Sequence, residues 1–171
     1  SLLSPEYKLA LSLISKNNPN VFPKGGGRRD WFQDIPKSRQ RFVPFNGGIG
    51  AEQLNWLDQE LDQCCRNHQR AIIITHVPLE PEAASQRTVA WNYSEVMAVV
   101  NKSNCVELVL AGHNHQGGYA VDSQGCTHVT VEGVLTHKES AFGVVEVFQD
   151  RLEIRGKGAL SSRTIKFRSR A

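Results

Sequence analysis

"VELVLAGHNHQGGY", residues 106–119, decides the fold. Its first eight residues, "VELVLAGH", read as a buried strand, and glycines and histidines follow at once. A second β-branched run, "RAIIITHVP" (70–78), also reads as a buried strand, and Pro78 ends it. Between them lie a polar segment (80–92) and a helical pattern, "SEVMAVVNK" (94–102). Strand, helix, strand is the order of a crossover between neighbouring parallel strands. If the two strands pair this way, their C-terminal ends share one edge of the sheet.

Working outward, "AEQLNWLDQELDQCCRN" repeats Leu54, Leu57, Leu61 and Cys64 or Cys65 at helical spacing, which predicts an amphipathic helix. "RFVPFNGG" (41–48) reads as a short strand leading into a turn. Near the start, "SPEYKLALSLISKNNPN" has a Ser cap, a Pro at the first helical position and apolar Leu9, Leu13 and Ile14, predicting a helix from about 5 to 16. Residues 17–44, rich in Pro, Gly and charge over 17–41, predict a long irregular excursion of the kind that is functional or disordered. Beyond residue 117 the pattern changes to hairpins: "GGYAVDSQGCTHVTVEG" turns at Asp122–Gly125, and "AFGVVEVFQDRLEIRG" at Gln149 and Asp150, with "RTIKF" as a last strand. The fold class is α/β with an α+β character.

At 171 residues the chain fits one domain and is long enough to bury roughly 70% of its unfolded surface. With 40% hydrophobic and 22% charged residues it is neither disordered nor fibrous in composition, and no stretch approaches the ~18 apolar residues of a membrane span. A net charge of +3, with basic residues in small groups (Arg28 and Arg29; Arg39 and Arg41; Arg163, Lys166, Arg168 and Arg170), predicts a solvated surface; neither a nucleic-acid nor a membrane partner is expected. Four cysteines without CxxC spacing predict reduced thiols and a cytoplasmic location. Because Ser1 opens the chain and Met97 is the single methionine, the sequence is expected to be a processed piece or fragment.

In a strand, side chains two apart point the same way, so His113 and His115 are expected to project together. Two such imidazoles suit Zn, Mn or Fe, and they read equally as polar loop histidines without a metal. His76, ending the other strand, shifts the balance: three histidines at two adjacent strand ends make a candidate metal site at the carboxyl edge of a parallel sheet. His68 at a helix end, His128 in a strand and His137 in a charged loop are weaker candidates, and Cys105 and Cys126 are expected to be small buried residues. No Asp or Glu stands in a motif that supplies the carboxylate a hard divalent pair requires.

The order "THVP", then about 35 residues, then "GHNH" resembles the last two motifs of the calcineurin-like metallophosphoesterases. "PFNGGIGAEQLNWLDQEL", "VAWNYSEVMAVV", "LAGHNHQGGYAVDSQGCTHVTVEGVL" and "AFGVVEVFQDRLEIRGKG" narrow the likeness to the C-terminal half of the manganese-dependent ADP-ribose/CDP-alcohol diphosphatases. The resemblance implies half of a β-sandwich flanked by helices, residues 1–171 being a partial metallophosphoesterase domain. It also implies a two-metal centre, Mn being favoured over Mg, Fe or Zn. There His76 and His113 would hold one ion and His115 the other, about 4 Å away, and the reaction would be in-line attack on the pyrophosphate of a nucleoside diphosphate such as ADP-ribose or CDP-choline.

That family also uses Asp-x-His, Gly-Asp-x-x-Asp and Gly-Asn-His motifs, none of which occurs here; "RNHQ" (66–69) mimics the last without its glycine. The resemblance therefore implies an incomplete site, with the catalytic histidine of the family outside this chain. Phe45 and Trp91 are candidate base-stacking residues, equally readable as packing, and 17–48 and 79–92 are candidate covers for a nucleotide. The alternative is a truncated non-catalytic module that binds a nucleotide or a metal.

Overall fold

The computed structural model describes residues 4–22, 27 and 30–169. Helices α1 (Pro5–Asn17), α2 (Ala51–Arg66) and α3 (Tyr93–Lys102) alternate with the first strands, β1 (Ala71–Ile74) and β2 (Val106–Ala111). Strands β3 (Gly118–Val121), β4 (Thr127–Thr130), β5 (Ala141–Val147), β6 (Arg151–Gly158) and β7 (Arg163–Lys166) follow. One sheet runs β1-β2-β4-β3, the other β5-β6-β7. The expected crossover is present: β1 and β2 pair in parallel, with α3 in the connection. β2 and β4 are also parallel, while β3 folds back antiparallel on β4.

The first sheet lies between two apolar layers. On one side Leu61 of α2 and Val96, Met97 and Val100 of α3 pack on Val109 of β2. On the other, Leu108 and Leu110 of β2 and Val129 of β4 meet Leu152, Ile154 and Ile165 of the second sheet. Each such side chain, fully buried, stabilises the fold by roughly 1.5–3 kcal/mol. Buried Glu107 in β2 is the exception in this apolar strand, and it is paired with Arg70 and with Arg168, whose Nε lies 3.4 Å away. Arg168, expected on a solvated surface, is therefore an ion-pair partner of the core, and the Arg163 guanidinium lies 4.1 Å from the ring centre of Tyr119. Arg28, Arg29 and Arg170 lie outside the described residues.

Two of the expected strands differ from the sequence reading. "AIII" is a strand, but it is not buried on both faces: Ile72 and Ile74 are 37% and 79% exposed, because β1 is an edge strand paired only with β2 among the described residues. "RFVPF" is not a strand at all. Its backbone bonds locally, Val43 N–H to Arg41 O at 2.9 Å and Asn46 N–H to Val43 O at 3.2 Å, and Pro44 has no N–H to give a ladder.

After Asn17, the last residue of α1, the excursion before it contains no α-helix or strand among the described residues, and the side chains of buried Asn18 and partly exposed Asn20 hold it in place. The Asn18 amide donates to Trp31 O at 3.0 Å, and that of Asn20 to Gln33 O at 2.7 Å. No helix among the described residues is long and apolar enough to cross a membrane.

Candidate metal centre

The parallel pairing of β1 and β2 continues past the strand ends and carries the histidines together. Thr75 N–H donates to Leu110 O at 3.0 Å, and Gly112 N–H to His76 O at 3.0 Å. His76 thus lies beside the turn that begins at Gly112. The His76 and His113 rings meet edge to face, 5.1 Å between centres.

Contrary to the expectation from the sequence, His113 and His115 are not related by strand alternation, because β2 stops at Ala111. They sit in a turn closed by Asn114 N–H to Gly112 O at 2.6 Å and Gly117 N–H to Asn114 O at 2.8 Å. Buried Asn114 braces it through its amide, 2.9 Å from Gly117 O. His113 has φ 63°, a left-handed conformation that costs a non-glycine residue about 1–2 kcal/mol. Strain of this kind persists only where surroundings impose it, and it concentrates at functional sites.

His113 shows how its ring is aimed. Its Nε2 lies 2.7 Å from Oδ1 of Asn46, whose amide nitrogen donates to the carbonyls of Arg41 and Arg87 at 2.7 Å each. Those two acceptors orient the amide so that its oxygen faces the ring. Nε2 must therefore carry the proton, which leaves the Nδ1 lone pair available to a cation. Burial, with smaller contributions from the charges of His76 and His115, holds the His113 pKa below the usual imidazole range, so this neutral form is favoured. Asn46 was not singled out from the sequence; its position before Gly47 and Gly48, in a stretch of no regular structure, was the available signal.

Gly133 was missed too. It pairs with the loop through Gly133 N–H to His115 O at 3.1 Å, and a Cβ on it would lie 2.6 Å from His115 Cγ, so only glycine leaves the ring its place. His137, expected to be a charged-loop residue, has its Nε2 3.1 Å from the same carbonyl. A Cβ on Gly117 would meet the Glu132 side chain at 2.6 Å, which places a carboxyl group against the end of the histidine turn. Oε2 of Glu132 is buried and has no hydrogen-bond partner among the described residues.

Phe45, 46% exposed, stands 5.9 Å from His113 between ring centres and is flanked by Trp31 and Phe32 at 6.1 and 6.5 Å. Trp91 is otherwise engaged: its indole N–H donates to Val43 O at 3.3 Å and its backbone O accepts from Arg41 Nε at 2.8 Å, pinning the loop that carries Asn46. A cleft of about 160 Å³ lined by Gly47, Gly48, Thr75, His76, Leu79 and Ala90 opens beside His76. A wider concavity, about 850 Å³ between α1 and the start of α2, shares no lining residue with this edge.

The three histidines alone do not bring their ring nitrogens into one tight group. Among the described residues the single set of three ligand-type side chains with all donor atoms within 4.8 Å is Asp122, Cys126 and His128. Most of its donor atoms are already engaged, His128 Nδ1 being the one left buried without a hydrogen-bond partner among the described residues. Asp122 Oδ1 accepts the N–H groups of Gln124 and Cys126 at 2.9 Å each, its Oδ2 lies 3.0 Å from His128 Nε2, and burial pushes the Cys126 thiol up to about 12. A protonated thiol is a poor ligand.

A facing His76–His113 pair with a free Nδ1, and a separate His115, fit a site that divides its imidazoles between two ions. Similarity searches bear on this arrangement. Relatives named manganese-dependent ADP-ribose/CDP-alcohol diphosphatase match at 38% identity over 168 residues in Bos taurus (96% of this chain, 47% of the relative) and at 42% over 160 residues in Oryza sativa (92% and 48%). The chain is similar to these diphosphatases over nearly its whole length and about half of theirs. The human member is 36% identical over 170 residues, covering 96% of this chain and 46% of the relative. The crystal structure of a dimetal phosphatase from Danio rerio superposes with a TM-score of 0.86 at 31% identity, over 98% of this chain and 52% of that one. No protein-family profile matches. The chain thus spans about half the length of the relatives it matches and has the calcineurin-like fold over that half.

Proposed function

We propose that this chain carries the late-histidine portion of a metal-dependent phosphohydrolase that cleaves the pyrophosphate of ADP-ribose, CDP-choline and related nucleoside diphosphates. The observation that carries the reading is the His76–His113 pair, held edge to face with one ring fixed by Asn46. His76 and His113 would hold one divalent ion and His115 a second, Mn²⁺ being the ion named for the relatives. Bound divalent ions of this kind activate water and polarise a phosphoryl oxygen.

The chain's own residues do the positioning. Asn46 fixes the His113 tautomer, as outer partners of ligating histidines generally do, and Gly133 leaves the His115 ring its place. Phe45 offers a half-exposed aromatic face beside the histidines for a base or ribose, and Trp91 holds the Asn46 loop. Two adjacent divalent cations need more negative charge than neutral imidazoles bring. The bridging carboxylate is assigned to the part of the relatives' length that this chain does not span. Four free cysteines accord with a reducing, cytoplasmic setting.

The test is hydrolysis of ADP-ribose and CDP-choline with added Mn²⁺, by this chain and by a version extended with its native upstream sequence. Turnover by the extended protein alone is expected. Turnover by the short chain would overturn the division of the site, and no turnover by either would overturn the assigned reaction.

A further inference from the structure

Far from the histidines, at the end of α2, three of the four cysteines gather around Ser103. The Ser103 hydroxyl lies 3.5 Å from Cys65 Sγ and 2.9 Å from Cys105 Sγ, so one hydroxyl bridges the two sulfurs. Cys65 is the penultimate residue of α2 and is partly exposed; Cys105 stands directly before β2 and is fully buried. Cys64, the neighbour of Cys65, packs against the helix-layer core. Cys64, Cys65 and Cys105 do not form a metal-sized group of donors, so shared ligation of an ion is not their common purpose.

We propose that Cys65 and Cys105 are a peroxide-responsive pair that closes reversibly into a disulfide. One accessible sulfur backed by one sheltered sulfur is the arrangement of an attacking and a resolving thiol. The two differ in the required sense. Burial works against the Cys65 thiolate, but hydrogen bonds from Cys105, Ser103 and the backbone of Asn104 and Cys105 outweigh it and lower its pKa. Burial, reinforced by the hydrogen bond to Cys65, pushes Cys105 up to about 12.

The chemistry balances with a hydroperoxide as oxidant. The Cys65 thiolate attacks the terminal peroxide oxygen and the O–O bond breaks. Cys65 becomes a sulfenic acid, and the leaving oxygen takes a proton to give water or an alcohol. Cys105 then attacks the Cys65 sulfur, the S–O bond breaks, and the Cys105 proton leaves with the departing hydroxide as water. Two thiols lose two electrons in all, and the peroxide gains them. The bridge would join the end of α2 to the entry of β2, enclosing β1, His76 and α3 in one covalent loop, and would raise the melting temperature by restricting the unfolded chain.

The experiment treats the whole chain with hydrogen peroxide, blocks remaining thiols, and maps peptides with and without reductant. The expected product is a reductant-sensitive cross-link between the peptide holding Cys64 and Cys65 and the one holding Cys105 and Cys126, with fragmentation placing it on Cys65 and Cys105. Cys64→Ala should keep the link and Cys65→Ala should abolish it, each variant being compared with wild type by thermal melting before peroxide is added. A Cys64–Cys65 bridge, a cross-link through Cys126, links only between separate chains, or no link at all would each overturn the proposal. The wild-type map decides between these even if a Cys105 variant does not fold.

Discussion

Two groups of histidines in this molecule have opposite character. In β4, buried His128 faces Asp122 through Nε2, and the same carboxylate accepts two N–H groups of its own turn, while His128 Nδ1 has no hydrogen-bond partner among the described residues. At the carboxyl edge of β1 and β2, His76 and His113 meet edge to face at a strained turn that also carries His115, one ring is aimed by an amide, and no carboxylate joins them in a compact group among the described residues. The first group serves the fold. The second carries conformational strain at His113 and leaves its Nδ1 lone pair free, as the proposed cation site requires. Donor atoms clustered within reach of one another are therefore a poor guide to a metal site where one is a thiol held protonated and another a carboxylate already engaged by three partners.

Substitutions can break this contrast. The largest effect is expected for His113→Asn in the upstream-extended protein, asparagine being tolerant of the left-handed backbone. Direct ligand loss should lower Mn²⁺-dependent hydrolysis by more than the roughly 10–100-fold typical of losing an outer partner. Thermal melting should stay nearly unchanged. Asp122→Ala should do the reverse: it removes the acceptor for two N–H groups and the partner of a buried imidazole, so urea unfolding should report a loss of about 3 kcal/mol, with Mn²⁺ affinity unaltered.

Asn46→Ala, which frees the His113 ring to choose the other tautomer, should weaken metal affinity by about 10–100-fold, measured by calorimetry. A similar or smaller loss, on the order of 10-fold, is expected for Gly133→Ala, whose Cβ would displace His115. The smallest effect has the opposite sign. His113→Gly should raise stability by about 1 kcal/mol as the strained backbone relaxes, even as metal binding is lost.

Much of the site's address was legible because it follows from strand chemistry. Two β-branched runs with a helix between them pair in parallel, and that alone brings His76 to Gly112. What the sequence hid is non-local. Whether Ile72 and Ile74 are covered depends on which strand or layer lies beyond β1, not on the run "AIII" itself. "RFVPF" has the residues of a strand, yet its N–H groups are taken by its own preceding carbonyls. The roles of Asn46 and Gly133 come from partners 67 and 18 residues away in the chain, His113 and His115, and no local pattern encodes such a meeting. Asp122 and His128 looked unremarkable because a turn aspartate and a strand histidine each have an ordinary local reading.

The most direct measurement is a Mn²⁺ titration of this chain followed through the histidine ring signals in its proton NMR spectrum. Paramagnetic broadening of His76, His113 and His115, at Mn²⁺ concentrations that leave His128 and the exposed helix-end His68 sharp, is the expected result. Broadening of His128 first, or of all the histidines together, would contradict the assignment of the metal to the strand edge.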